Sequence, residues 1–304
     1  MSTVSSRPAG RARRLRPLWY LMPAAVVVLG IIGYPVVRAI GFSFFHYNPL
    51  DVTGAHVRFV GLSNYLRALT NPGFQHAAVN SVIWIFGVVT VQFLLGLMGA
   101  VILNQRFRGR DVVRGLVLIP WATPSVLAAM MWMWILDGNY GVLNDLLHRV
   151  GLGFLAQPWF SQPGTALGSL MLIDVWQGIP FFAVMLLAAM QTIPGELLEA
   201  ARLDRASAWR TFWAIKLPII APTVMITTLL RIVWTASYMD LILIITQGGP
   251  GYATLTVPAD AYYTAYTDFA FGRAGAMAVI QALVLLGVVL AYLRLLSRQG
   301  ILDA

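Results

Sequence analysis

Four ionisable side chains set inside long apolar stretches are the first candidates for chemistry in this sequence: Arg38, Asp174, Arg231 and Asp240. A charge in such a stretch is costly unless it faces a cavity or a partner. Arg38 stands near the end of its stretch and is read as reaching back to the interface. Asp174 lies deeper. It is either a buried structural partner, with Arg231 as one choice, or an acceptor for the hydroxyl groups of a passenger. Asp240 is read as a cavity or gate residue. Bond-making chemistry finds no support. The single lysine, Lys216, stands between Ile215 and Leu217, so no phosphate-binding Gly-x-x-x-x-Gly-Lys-Ser/Thr loop exists. His46, His56, His76 and His148 show no metal-ligand spacing, and there is no Gly-x-Ser-x-Gly elbow. No catalytic residue and no metal site are therefore expected, which leaves transport, a channel or a scaffold.

The elements that carry these groups are apolar enough to define the class. The 304 residues are 59% hydrophobic and 11% charged, without cysteine, and their mean hydropathy is +0.74. Soluble domains carry about 25% charged and 45–50% apolar residues. Disorder and a disulfide scaffold are excluded. Six apolar stretches run roughly Leu18–Phe45, Ala78–Leu103, Gly115–Leu136, Ala166–Met190, Ile219–Ile245 and Ala274–Leu293. Each is long enough to cross a ~30 Å hydrocarbon core as a helix, and none alternates in polarity as a barrel strand does. The expected architecture is an all-α polytopic membrane protein of six transmembrane helices. Residues 1–17 are a cytoplasmic Arg-rich tail with some affinity for anionic lipid, 18–297 one membrane domain, and 298–304 a cytoplasmic tail. The first stretch is nearly twice the length of a signal-peptide core and is read as a retained span.

Arginine placement orients the chain. Arg7, Arg11, Arg13, Arg14, Arg16, Arg106, Arg108, Arg110, Arg114, Arg202, Arg205, Arg210, Lys216, Arg294 and Arg298 fall on one side, against Arg58, Arg67, Arg149 and Arg273 on the other. That bias puts both termini in the cytoplasm, and six spans require the termini to share a side. The net charge of +9 is thereby read as loop placement rather than nucleic-acid binding.

Between the fourth and fifth stretches, residues 193–218 read as a helix–turn–helix lying on the membrane. Pro194 suits a first helical position and Glu196 the first turn, while Ser207 suits the cap of a second helix. Trp209, Phe212 and Trp213, spaced three or four apart, make one apolar face. On this physics alone an interfacial amphipathic helix remains an alternative.

The run Glu199-Ala200-Ala201-x-x-Asp204-x-Ala206-x-x-Trp209-x-x-Phe212-x-x-Ile215-x-Leu217-Pro218 resembles the EAA loop of ABC importer permeases. In that family the loop is the coupling helix that docks in a cleft of the ATPase subunit. The family's usual Gly after the Asp is here Arg205, which must bear strain or adopt a different turn. Ile245–Pro250, with Gly248, Gly249 and Pro250, resembles the Leu-Thr-x-Gly-Gly-Pro segment of carbohydrate permeases. Asp174–Pro180 is similar to their Asn/Asp-x-Trp-x-Gly-x-Pro. Together these cover about residues 15–300 and are most similar to the MalF-like permeases of binding-protein-dependent sugar importers.

The resemblance implies a type I ABC importer permease fold in a bacterial plasma membrane. Its implied partners are a second permease, two ATPase subunits that bind ATP and Mg, an extracytoplasmic sugar-binding protein, membrane lipid and a carbohydrate; nucleic acid is not among them. It also implies substrate contacts at Trp121, Ser125, Asp174, Gly178, Arg231, Trp234, Thr235 and Tyr238, with Gly178 letting the ligand approach the backbone. Helix packing is the alternative for Trp121 and Trp234. Tyr262, Tyr263, Tyr266 and Phe269 are either interfacial anchors or contacts to a docked binding protein. The rival to an importer subunit is an ion-coupled secondary transporter or channel, for which only Asp174 and Asp240 could hold the ion and no discontinuous-helix repeat is visible. In the importer reading Glu199→Lys abolishes uptake and ATPase coupling while the protein still inserts; normal uptake by that variant contradicts the coupling role.

Overall fold

The computed structural model describes residues 12–50 and 57–298. The arginines at 7 and 11 and residues 299–304 lie outside the described residues. The first helix begins at Ala12, so the inner part of the expected tail is helical rather than loose. Among the described residues five helices are long and apolar enough to cross a membrane: Tyr20–Ser43, Pro72–Leu103, Pro163–Gln191, Ala208–Thr246 and Phe271–Leu295. Two further helices, Arg110–Ala122 and Ser125–Ile135, meet at 95° and are together long and apolar enough for a sixth, broken span, third in chain order.

The apolar stretch Gly115–Leu136 thus holds two helical pieces rather than one straight helix. Pro124 has no N–H to give the ladder and disfavours a helical conformation at the residue before it. Thr123 is accordingly extended, at φ −76° and ψ 123°. Its freed carbonyl accepts a hydrogen bond from Gln177 Nε2 of span four at 2.9 Å, as backbone away from water requires. The fifth span is interrupted as well. Its helix Leu217–Ser237 ends at an extended Tyr238, and a π-turn at Ile242–Thr246 follows. Ala236 O accepts from Gln281 Nε2 of span six at 2.8 Å.

Spans two and four form the centre. Gly96 of span two makes their approach possible: a Cβ there would overlap Phe182 Cβ and stand 3.1 Å from Ala183 N and Ile179 O. Small residues at such crossings let helix backbones pack closely where lipid gives no hydrophobic drive. Two buried apolar clusters result. One gathers Trp84, Leu170, Ile173, Leu241 and Met277; the other gathers Val89, Phe181, Phe182, Leu186, Ile220 and Ile232. The first span, by contrast, leaves Leu29, Ile31, Ile32 and Val36 exposed, as a lipid-facing helix does. Arg38 stays exposed with its guanidinium 4.7 Å from the ring centre of Phe42. Beyond this span a two-stranded antiparallel ribbon pairs Phe45–Tyr47 with Val57–Phe59. Asn64 ties it down by donating to Ser43 O at 2.9 Å and Phe45 O at 2.8 Å. This ribbon is the only strand structure among the described residues.

The loop between spans four and five folds as two short helices, Gly195–Leu203 and Ala208–Thr211. Pro194 precedes the first helix rather than opening it. Ser207 caps the second through Arg210 N at 3.2 Å. Arg205 adopts φ +53°, which decides between the two readings of that position. Arg205 N–H donates to Arg202 O at 3.0 Å and Ala206 N–H to Ala201 O at 2.9 Å. That is the hydrogen-bond pattern of a Schellman C-cap, which glycine normally occupies. The chain therefore keeps the turn and carries the strain of a left-handed L-residue, about 1–2 kcal/mol. Arg205→Gly should raise the thermal midpoint of the assembled protein by a few degrees through about 1 kcal/mol; an unchanged or lowered midpoint in a melting curve contradicts the strain.

Candidate functional site

Spans three, four and five enclose a cavity of about 220 Å3 lined by Trp121, Ser125, Asp174, Gln177, Arg231, Trp234, Thr235 and Tyr238. Each position follows from a local feature of its span. The bend at Thr123–Pro124 separates Trp121 from Ser125 and presents both. Asp174 and Gln177 lie one turn apart on the continuous helix of span four. Arg231, Trp234, Thr235 and Tyr238 share one face of span five, at three- and four-residue spacing, up to the point where that helix ends.

Behind the wall lies a buried polar network between the two apolar clusters. Arg231 NH2 donates to Asp174 Oδ1 at 2.8 Å, and the two side chains are 12% and 2% exposed. Arg231 Nε donates to Gln92 Oε1 at 2.6 Å, and Gln92 Nε2 donates to Asp174 O at 2.6 Å. Three spans are thereby joined through one ion pair. The second carboxylate oxygen, Asp174 Oδ2, and the hydroxyl of Thr235 are buried without a hydrogen-bond partner among the described residues.

Gly178 is absent from the cavity wall. A Cβ at this glycine would overlap the Gln92 amide and Arg231 NH2. Its lack of a side chain makes room for the network. Trp121 and Trp234 flank Phe181, with ring centres 6.3 and 5.2 Å from it. Each keeps about half its surface open, 51% and 48%, so packing and an exposed aromatic face coexist. Tyr238 donates to Gln177 Oε1 at 3.2 Å. Ser125 donates to Asp240 Oδ2 at 2.9 Å, which places Asp240 at the cavity's margin. Two residues of this site escaped the sequence reading, Gln92 and Gln177. Both are uncharged amides, and the available signal was their polarity within apolar helices.

The remaining candidates form two separate groups. Gly248 and Gly249 border a concavity of about 610 Å3 with Asn71, Gln247, Asp260 and Arg273. This turn is fastened to span two, since Asn80 Nδ2 donates to the carbonyls of Tyr252, Ala253 and Leu255 at 2.9–3.2 Å. Within the concavity burial raises the pKa of Asp260 above the usual carboxylate range, against the lowering effect of Arg273. At the other end, Glu199, Ala200 and Asp204 are exposed on the loop helix while Ala201 is buried. Trp209 is 72% exposed, whereas Phe212 packs against the second apolar cluster. The expected apolar face is thus divided between the core and the surface.

The comparisons with known proteins bear on the family and the fold. The family described as "Binding-protein-dependent transport system inner membrane component" matches residues 92–301. The trehalose/maltose transport system permease protein MalF of Thermococcus litoralis is 35% identical over 281 residues, 91% of this chain and 92% of that protein. The diacetylchitobiose uptake system permease protein DasB of Streptomyces coelicolor is 32% identical over 298 residues, 97% of this chain and 90% of that protein. Among solved structures, a bacterial ABC transporter involved in import of the acidic polysaccharide alginate is similar at a TM-score of 0.81. That similarity covers 94% of this chain and 96% of that one at 20% identity.

The close fit around Gly178 has a measurable consequence. Gly178→Ala should displace Gln92 or Arg231, destabilise the protein by about 1–3 kcal/mol through overpacking, and impair transport without preventing insertion. Wild-type melting and transport would contradict the packing role.

Proposed function

Since the chain belongs to the family of binding-protein-dependent transport system inner membrane components, we propose that its cavity is part of the path of a carbohydrate through the membrane. The chain is the permease subunit of an ABC importer, and ATP hydrolysis is the work of partner subunits. The observation that carries the carbohydrate reading is the cavity wall itself. It combines the exposed faces of Trp121 and Trp234 with the hydroxyl, amide, carboxylate and guanidinium groups of Ser125, Gln177, Asp174 and Arg231. Aromatic faces stack on the apolar face of a sugar ring, and the polar groups meet its hydroxyls as donors and acceptors. The relatives named for trehalose/maltose and diacetylchitobiose uptake support the same class.

In this reading the chain pairs with a second, similar permease, and both rest on ATPase subunits that bind ATP and Mg. Glu199, Ala200, Asp204, Trp209 and the 84% exposed Leu203 form the surface that meets the ATPase on the cytoplasmic side. Ala201, Ala206 and Phe212 hold that surface against the helices. ATP-driven closure of the partners moves the loop and rocks the spans between inward- and outward-facing cavities. A binding protein delivers the sugar at the outer end, beside Asp240 and the Gly248–Gly249–Pro250 turn. A solved neighbour of the same fold is described in complex with a pentasaccharide-bound periplasmic protein. The test is ATPase activity of the co-purified complex in lipid nanodiscs, with and without its binding protein across a panel of sugars. Stimulation by one loaded binding protein is expected. Absence of a co-purifying ATPase, with uptake driven by an ion gradient alone, contradicts the proposal.

A further inference from the structure

Gln92 sits in the middle of span two with no exposed surface. It accepts from Arg231 Nε at 2.6 Å and donates to the backbone carbonyl of Asp174 at 2.6 Å. Arg231 NH2 is committed to Asp174 Oδ1 at 2.8 Å. The guanidinium is therefore held from behind the cavity wall, in space left open by Gly178. We infer that Gln92 is a specificity-determining positioning residue: by fixing Arg231 on Asp174 it reserves the cavity for uncharged glycosyl or polyol groups and turns away anionic ones. The inference rests on the importer reading above and narrows its substrate class.

The charge arrangement carries the argument. Asp174 and Arg231 are the charged residues lining the cavity, and they neutralise each other. Asp240, bonded to Ser125 at the margin, adds a negative charge. A carboxylate, phosphate or sulfonate entering here finds no net positive charge, because the guanidinium, whatever donors it keeps free, is balanced by Asp174. To gain one it must draw Arg231 away from Asp174 and leave a buried carboxylate unpaired, which is strongly unfavourable. A hydroxyl group meets the opposite situation. It needs no counter-charge, and the wall offers it the donors and acceptors of Ser125, Gln177 and Tyr238. Kinship does not decide the matter, because the solved neighbour of the same fold is described as an importer of an acidic polysaccharide.

The test uses the whole complex in nanodiscs without its binding protein, so that the binding protein's own selection plays no part. Ligand-observed saturation-transfer NMR with methyl glucoside and glucuronate as probes gives the ratio of their dissociation constants. Wild type should bind methyl glucoside about tenfold or more tightly than glucuronate. Gln92→Leu, which releases the guanidinium, should shrink that ratio to about threefold. Gln92→Glu, which adds a carboxylate beside Arg231, should widen it. A merely structural residue would not move the ratio in opposite directions. Should the leucine variant fail to assemble, the glutamate variant alone carries the sign. A wild-type ratio near one, or a ratio that does not move, overturns the inference. Absence of binding by either sugar also overturns it, and leaves the importer reading standing if the ATPase still responds to a loaded binding protein. Loss of that response removes both.

Discussion

A carboxylate buried among membrane helices has to be paired, and the Asp174–Arg231 ion pair is the constraint around which the other elements are arranged. Moving either charge out of water is costly, and only close geometry with further hydrogen bonds compensates. The fold meets that condition with few residues. Gln92 satisfies the second face of the guanidinium, Gly178 leaves space for it, and Gly96 brings spans two and four close enough for Gln92 to reach. The two apolar clusters then close off the network on either side. A polar site joining three spans is thus held by packing whose only chemical demand is two small residues at the crossing.

The interruptions of the helices belong to the same arrangement. Span three bends at Thr123–Pro124, and the carbonyl this frees is taken up by Gln177, itself a cavity residue. Span five ends at Tyr238, and Gln281 takes the carbonyl of Ala236. Each break places irregular backbone beside the cavity or inside the bundle, where membrane proteins tolerate it. In the loop between spans four and five, the strained turn at Arg205 closes the first short helix and Glu199 stays on the surface.

Much of this was legible in the residues. Six apolar stretches and the loop between the fourth and fifth could be read directly, because lipid imposes length and hydropathy on any spanning helix. Asp174 and Arg231 stood out because charge in such a stretch is rare. Their pairing was one of two readings, since spacing along separate helices does not say which faces meet. Gln92 carries no charge to mark it, and the side chains that Gly178 makes room for come from other spans. The bend in span three has a signal in the residues, Pro124. The break after Ser237 has none: Ala236–Asp240 contains neither glycine nor proline, and the residue that meets the Ala236 carbonyl, Gln281, comes from another span.

The central claim is that a paired charge, and not apolar packing alone, holds spans two, four and five together. A double-mutant cycle on the thermal unfolding of the complex in nanodiscs measures this directly. Arg231→Met strands Asp174 and should destabilise by about 3–5 kcal/mol. Adding Asp174→Leu should recover most of that loss, giving a coupling energy of about 2 kcal/mol or more between the two sites. Losses that simply add, with the double variant as unstable as the sum of the singles, would show that the two side chains stand near one another without supporting the fold.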